Sequence, residues 1–125
     1  ANQLKNDYKK KIPDNIVDLK KLEGIGNYSA NAILCFGFNQ RRPLLDSNFI
    51  RVYNRVFNIT SKTKTAKNDK FLWEFSELLL PNKNFINFNY AILDLGGNIC
   101  ITFKPKCHIC PLSKICFFFS NRNPN

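Results

Sequence analysis

Four cysteines near the C-terminus constrain the fold more than any other feature of this 125-residue chain. Cys100, Cys107, Cys110 and Cys116 form the pattern C-x6-C-x2-C-x5-C. Four thiolates this close together in sequence are able to surround one metal centre and to order a loop-rich segment around it. The spacing alone leaves zinc and an iron–sulfur cluster open. The fifth cysteine, Cys35, lies far upstream in an apolar stretch, and we predict that it is a small buried core residue.

The charge balance favours a polyanionic partner. The chain has 19 Lys and Arg against 9 Asp and Glu, a formal net charge of +10. Nucleic acid is the usual partner of such a chain, although a basic protein without this partner is the plain alternative. The sequence has no membrane-spanning apolar run and no signal-like N-terminus, so we expect no membrane partner. We therefore expect a monomer in a reducing prokaryotic cytoplasm, associated with the nucleoid, where metal ligation is favoured over disulfides.

Helical periodicity recurs along the chain and strand alternation does not, which predicts an all-α fold. We expect the first helix to begin at Pro13 and Asp14, and a third to begin near Ser47, a good N-cap residue. The third helix carries one wide apolar stripe, formed by Phe49, Val52, Tyr53, Val56 and Phe57. Further helices are predicted after residue 26, over residues 71–80 and over residues 87–100, with a lysine-rich loop at 60–68.

The segment LEGIG, residues 22–26, separates the first two helices. Two glycines allow a sharp turn that brings main-chain amides close to a ligand, and the next helix adds its unpaired N–H groups. A plain corner between two helices is the alternative. The full string L-x-G-I-G-x-x-S-A resembles the helix-hairpin-helix motif of DNA repair proteins. On that resemblance the DNA-binding residues are Gly24, Ile25, Gly26, Asn27 and Ser29.

Three features in order resemble the helix-hairpin-helix (HhH-GPD) DNA glycosylases that carry an iron–sulfur cluster. They are the hairpin, the segment LLDSNFIRVYNRVF at 44–57 and the cysteine run. This group includes endonuclease III and the mismatch-specific adenine and thymine glycosylases. The resemblance implies the C-terminal part of a six-helix barrel over residues 1–80, a cluster domain over 81–120 and a tail at 121–125. It also implies a [4Fe–4S] cluster on Cys100, Cys107, Cys110 and Cys116, and DNA contacts from Lys104 and Lys106.

The same resemblance implies two catalytic residues, Asp46 and Tyr28. A carboxylate at Asp46 would stabilise the positive charge that develops on the sugar when the N-glycosidic bond breaks. An ordinary N-cap aspartate is the alternative for this residue. The members of the group that also cleave the strand carry a lysine where this chain has Tyr28, and tyrosine cannot form an imine with the sugar. The resemblance therefore implies a monofunctional mismatch glycosylase acting on double-stranded DNA with a mispair.

The resemblance leaves two kinds of substrate open. One is adenine opposite guanine or 8-oxoguanine, and the other is thymine or uracil opposite guanine. The chain has no methionine and begins close to the hairpin. We therefore expect an N-terminally incomplete fragment that is inactive by itself. Two other functions remain: a non-catalytic helix-hairpin-helix DNA-binding module and a zinc-containing nucleic-acid adaptor.

Overall fold

The structure, a computed structural model, describes residues 1–122, and within them every regular element is helical. The all-α prediction is therefore confirmed for this part of the chain. The α-helices are α1 (Asn2–Asp7), α2 (Ile16–Lys21), α3 (Asn27–Ala32), α4 (Ser47–Phe57), α5 (Lys70–Leu79), α6 (Phe85–Asp94) and α7 (Phe117–Arg122). Short 3₁₀ turns cover Ala66–Asn68, Cys107–Ile109 and Ser113–Ile115, and π-helical turns extend α3 over Ile33–Gly37 and α6 over Leu95–Ile99. No helix that these residues form is both long and apolar enough to span a bilayer.

Helix α4 is the central element of the structure. Its N-cap residue is Asp46 and not the predicted Ser47, because the Asp46 side chain accepts the hydrogen bonds of the first turn. The helix ends at Asn58, which adopts the left-handed conformation (φ 55°). Four of the five predicted stripe residues are buried, namely Phe49, Val52, Tyr53 and Val56. The fifth, Phe57, lies at the edge of the core with 43% of its surface exposed. Its ring packs against Phe75 of α5, with 5.5 Å between the ring centroids.

The buried apolar residues form two clusters. The larger one surrounds α4 and extends into the cysteine segment through Leu95 and Cys116. The smaller one joins α2 to α3 through Leu19, Ala30 and Leu34 and holds the hairpin. Cys35 is fully buried, as predicted. The division into residues 1–80, 81–120 and 121–125 stays a prediction, although α7 continues to Arg122 and so enters the predicted tail.

The helix predicted over residues 87–100 differs from the observed one. Helix α6 begins earlier, at Phe85, and its regular α-helical hydrogen bonding ends at Asp94. The chain then widens into the π-helical turn, which the amide of Cys100 closes by donating to the carbonyl of Leu95 at 2.6 Å. This turn brings the backbone of Gly96 against α4. Helix α1 was not predicted because its sequence, NQLKND, buries no residue and so carries no apolar periodicity.

Candidate functional site

Asp46 lies at the N-terminus of α4, where its carboxylate is held by the helix itself. Oδ1 accepts hydrogen bonds from the amides of Asn48 at 2.9 Å and Phe49 at 3.0 Å. Oδ2 accepts a longer hydrogen bond, 3.3 Å, from the side-chain amide of Asn48. The N–H donors and the positive end of the helix dipole stabilise the negative charge. The residue is therefore a capping residue and also a charged group fixed in one orientation.

Tyr28, on the first turn of α3, lies close enough to Asp46 for the two side chains to interact electrostatically. Partial burial raises the pKa of the Tyr28 hydroxyl above its ordinary value, and the negative charge of Asp46 raises it further. The fold thus brings together the two residues predicted to be catalytic, although they are 18 positions apart in sequence. A phenol with a raised pKa keeps its proton at neutral pH.

The hairpin has the backbone conformation that its glycines predict. Gly24 has φ +82°, a value that favours glycine, and the following amide, that of Ile25, donates to the carbonyl of Leu22 at 3.1 Å. Gly26 is extended and is the N-cap residue of α3. Asn27 opens that helix, and Ser29 follows in its first turn. DNA contact by these residues stays a prediction.

Arg51, one turn along α4, connects the Asp46 region to the segment that contains the cysteines. Its Nη2 donates to Oδ1 of Asn48 and to the carbonyl of Gly96, each at 2.7 Å. Its Nε donates to the carbonyl of Cys100, also at 2.7 Å. One guanidinium group therefore positions the side chain that contacts Asp46 and also the chain that leads into the cysteine loop.

Arg55, one further turn along α4, binds the beginning of the cysteine loop. Its guanidinium donates to the carbonyls of Ile101 at 2.7 Å and Thr102 at 3.0 Å. Its Nη1 also lies 3.4 Å from the sulfur of Cys100. The guanidinium stacks above the ring of Phe118 of α7, 5.1 Å from the ring centroid. Arg55 is thus a positive charge beside a predicted metal ligand.

Arg51, Arg55 and Gly96 are functional candidates that the sequence patterns did not single out. The available signal is the i, i+4 spacing of the two arginines on a helix whose remaining face is apolar. No sequence pattern indicates that Gly96 contacts α4, because this contact joins two segments far apart in sequence.

The four predicted metal ligands line one pocket, together with the side chains of Leu95, Ile99 and Phe118. All of them, Cys100, Cys107, Cys110 and Cys116, are free thiols. Burial raises the pKa of the Cys110 thiol, and the three neighbouring sulfurs raise it further. A cationic metal centre would offset this cost, because the thiolate is the form that ligates metal. The chemistry of the donor set and its convergence on one pocket therefore fit a thiolate-bound metal centre.

Within residues 1–122, no group of three or more His, Cys, Asp or Glu side chains is arranged to hold a metal ion. The kind of centre that the four cysteines would bind therefore stays a prediction.

Lys104 and Lys106 lie on the exposed surface of the loop between Cys100 and Cys107, the first two predicted metal ligands. Lys104 adopts a positive φ of 49°, which turns the chain sharply at this point. The amide of Lys106 donates to the carbonyl of Ile99 at 2.9 Å and so fixes the second lysine relative to α6. Both side chains are exposed, and DNA contact by them stays a prediction. His108 is exposed and packs edge-on against Phe119, with 5.6 Å between the ring centroids.

Comparison with known proteins agrees with this arrangement. The helix-hairpin-helix motif matches residues 7–36. An adenine DNA glycosylase of Buchnera aphidicola is 40% identical over 116 residues, which are 93% of this chain and 33% of that protein. A thymine/uracil-DNA glycosylase of Methanothermobacter thermautotrophicus is 37% identical over 126 residues, covering 95% of this chain and 57% of that protein.

Solved structures show the same fold. A thermostable thymine-DNA glycosylase superposes with a TM-score of 0.87 at 35% identity, over 96% of this chain and 55% of the other. An endonuclease III in a non-covalent complex with DNA superposes with a TM-score of 0.80, over 99% of this chain and 56% of the other. At 21% identity this second likeness concerns the fold alone.

The fold is thus the helical fold of endonuclease III, with a helix-hairpin-helix beside an N-capping aspartate. The chain contains a helix-hairpin-helix motif and is similar to adenine and thymine/uracil DNA glycosylases over part of their length. It spans between a third and just over half of the length of the relatives described above.

Proposed function

We propose that the protein hydrolyses the N-glycosidic bond of a mispaired base in double-stranded DNA and leaves the strand intact. The observation that carries the proposal is that Asp46, fixed at the N-terminus of α4, lies near Tyr28 of the helix that follows the hairpin. The Asp46 carboxylate is held by two backbone amides, and its negative charge contributes to the raised pKa of the Tyr28 hydroxyl. The names of the relatives support adenine, or thymine and uracil, as the excised base.

Asp46 would stabilise the reaction electrostatically. Departure of the base leaves positive charge on the sugar, and a fixed carboxylate nearby lowers the energy of that state. The hydrogen bonds to Oδ1 fix the orientation of the group before the substrate arrives, so little reorganisation is needed during the reaction. Oδ2 has one longer contact, 3.3 Å from the Asn48 amide, which leaves it the freer oxygen to orient a water molecule for attack on the sugar.

Tyr28 accounts for the proposed lack of strand cleavage. Strand cleavage through an imine needs a primary amine at the sugar, and the phenol at this position cannot supply one. Because its pKa is raised, the phenol stays neutral and would be able to donate a hydrogen bond to the substrate. We therefore assign Tyr28 a positioning role beside Asp46 and no covalent role.

We further propose that Cys100, Cys107, Cys110 and Cys116 hold a [4Fe–4S] cluster. Such a cluster is bound by four cysteine thiolates, one on each iron atom, and so it spans more space than one zinc ion. The convergence of the four cysteines on one pocket supports this assignment. The proposed contribution is structural: it orders a loop whose only regular elements are 3₁₀ turns. Iron and zinc analysis of the purified protein tests the assignment against zinc.

The DNA would be bound at two places besides the reaction centre. The backbone amides of the hairpin, from Gly24 to Ser29, would contact phosphate groups without regard to sequence. Lys104 and Lys106 would contact phosphates from the cysteine loop. A net charge of +10 supports binding to a polyanion.

The test is a single-turnover assay with the protein expressed from its complete reading frame. Duplexes with G:T, G:U, A:G and A:8-oxoguanine pairs are compared with their fully paired counterparts, each scored with and without alkali. Strand breaks that appear only after alkali are expected, and the duplex that breaks identifies the substrate. Tight binding of every duplex without base release would instead indicate a non-catalytic DNA-binding module. Strand breaks without alkali would contradict the role of Tyr28.

A further inference from the structure

A surface groove begins directly beside Asp46 and contains cations to which the proposed function gives no role. One wall of the groove is α4, through Ser47, Ile50 and Asn54. The other wall is the segment that follows α4, through Ile59, Lys64 and Lys67. We refer to these six residues as the lysine groove. Because Ser47 follows Asp46 in sequence, one end of the lysine groove lies at the proposed reaction centre.

Hydrogen bonds hold the lysine-containing wall of the groove in one conformation. Asp69 accepts hydrogen bonds from the hydroxyl of Ser61 at 2.8 Å and from the amide of Phe71 at 2.9 Å, and so ties the loop to the start of α5. Trp73 of α5 donates from Nε1 to the carbonyl of Lys67 at 2.8 Å. The opposite end is held by Asn54, whose side chain donates to the carbonyl of Ile59 at 3.1 Å.

The charge of the groove is positive and is not balanced locally. Residues 59–68 include three lysines and no aspartate or glutamate. The next carboxylate in the sequence, Asp69, is 3% exposed, and its hydrogen bonds to the loop lower its pKa, so it stays an internal acceptor. Lys64 and Lys67 are both exposed. The aliphatic side chains of Ile50 and Ile59 provide an apolar surface between the helix and the two cations.

The third lysine of the segment, Lys62, is placed differently. Its ammonium group lies over the ring of Phe71, 4.1 Å from the centroid, in a cation–π contact. It does not line the groove. The loop therefore contains two lysines that face the groove and one, of the same charge and nearly the same position in sequence, that is engaged elsewhere.

We propose that the lysine groove binds the sugar–phosphate backbone of one DNA strand next to the mispair; this rests on the proposed function for its DNA partner. Lys64 and Lys67 each pair with a phosphate, and the two isoleucines contact the deoxyribose between them. Such contacts position the duplex and carry no sequence information. They add a contact region beside Asp46 to those proposed for the hairpin and the cysteine loop.

The test is the salt dependence of DNA binding, measured by fluorescence anisotropy with a short undamaged duplex. Each phosphate contact contributes about 0.9 to the slope of log K against log salt concentration. The Lys64→Ala/Lys67→Ala variant of the protein from its complete reading frame is expected to lower the slope by about 1.8. Its affinity deficit then shrinks by about tenfold between about 50 and about 200 mM salt. The matched control is Lys62→Ala, which should leave the slope close to that of the wild type.

Two results would overturn the proposal. The first is an unchanged slope in the double variant when circular dichroism shows that it is folded. The second is an equal change in the Lys62→Ala variant, because this would indicate a general charge effect and no defined contact. Base release by the wild-type protein is scored separately. If the wild type releases no base but the slope changes as expected, the enzymatic proposal is contradicted, and the proposal that the lysine groove binds DNA is still supported.

Discussion

The backbone of Gly96 contacts the side chain of Asn48 so closely that a β-carbon at position 96 would lie 2.7 Å from the β-carbon of Asn48. Asn48 in turn donates to Asp46, and Arg51 binds both Asn48 and the carbonyl of Gly96. The π-helical turn that precedes Cys100, the first predicted metal ligand, thus packs directly on Asn48, whose side chain contacts the proposed catalytic carboxylate. Any shift of one side of this contact displaces the other.

The first prediction concerns that contact. Gly96→Ala should force the π-helical turn away from α4, because the nearest obstructing atom is the β-carbon of Asn48, which no side-chain rotation can move. We expect a loss of about 1–3 kcal/mol of unfolding free energy, as in overpacked cores, together with slower base release. The matched control is Gly97→Ala, since a β-carbon there would meet nothing within 4 Å. Equal effects of the two substitutions, measured by denaturant unfolding and single-turnover kinetics, would contradict this account.

The second prediction concerns Arg51. Replacing it with Gln removes the charge and the donors that reach Asn48, Gly96 and Cys100 together. Hydrogen bonds to a charged group contribute about 1.5–3 kcal/mol each, so the unfolding free energy should fall by several kcal/mol at most. We also expect slower base release and reduced iron content, because the guanidinium contacts both the side chain next to Asp46 and the carbonyl of Cys100. A variant that loses iron yet keeps the full rate of base release would show that the two regions are not coupled through Arg51.

The third prediction concerns the metal centre. Cys107→Ser should lower the iron content and the visible absorbance of the purified protein, and the loop from residue 100 to 116 should become protease-sensitive. Cys35→Ala is the control, because Cys35 is fully buried in the core away from the pocket and should retain iron. Retention of a full complement of iron by Cys107→Ser, or zinc in place of iron in the wild type, would contradict the cluster assignment.

The fourth prediction follows from the raised pKa of Tyr28. Burial is the larger cause and the Asp46 charge the smaller, so Asp46→Asn should lower this pKa only part of the way toward its usual value of about 10. Since the folded-state pKa is the higher one, the neutral phenol contributes stability below about pH 10 that is lost as pH rises through the folded-state pKa. The measurement is an alkaline absorbance titration, in which Tyr28→Phe variants isolate the signal of this tyrosine. An unchanged titration in Asp46→Asn would mean that the two groups do not interact.

Much of the local structure could be predicted from the sequence, because the signals are local. The stripe on α4 follows from side-chain spacing, and the turn at Gly24 follows from glycine's freedom at positive φ. The start of α4 near Ser47 was also predicted, although the N-cap residue is Asp46. The contacts of Arg51 and Arg55 could not be predicted in this way, because their acceptors are backbone carbonyls more than 40 residues away. Helix α1 could not be predicted because it buries no residue. The π-helical turn could not be predicted because its contact with α4 joins two segments that are far apart in sequence.

The central claim, that Asp46 is catalytic, is tested most directly by Asp46→Asn in single-turnover base release with parallel DNA-binding measurements. Asparagine keeps an oxygen that can accept the hydrogen bonds from the Asn48 and Phe49 amides, so the helix cap is largely retained. The negative charge is lost, and we expect base release to fall about 100-fold or more while the Kd for DNA changes little. If base release is unchanged, or if it falls only as far as DNA binding and folding fall, Asp46 is a capping residue alone and the account is wrong.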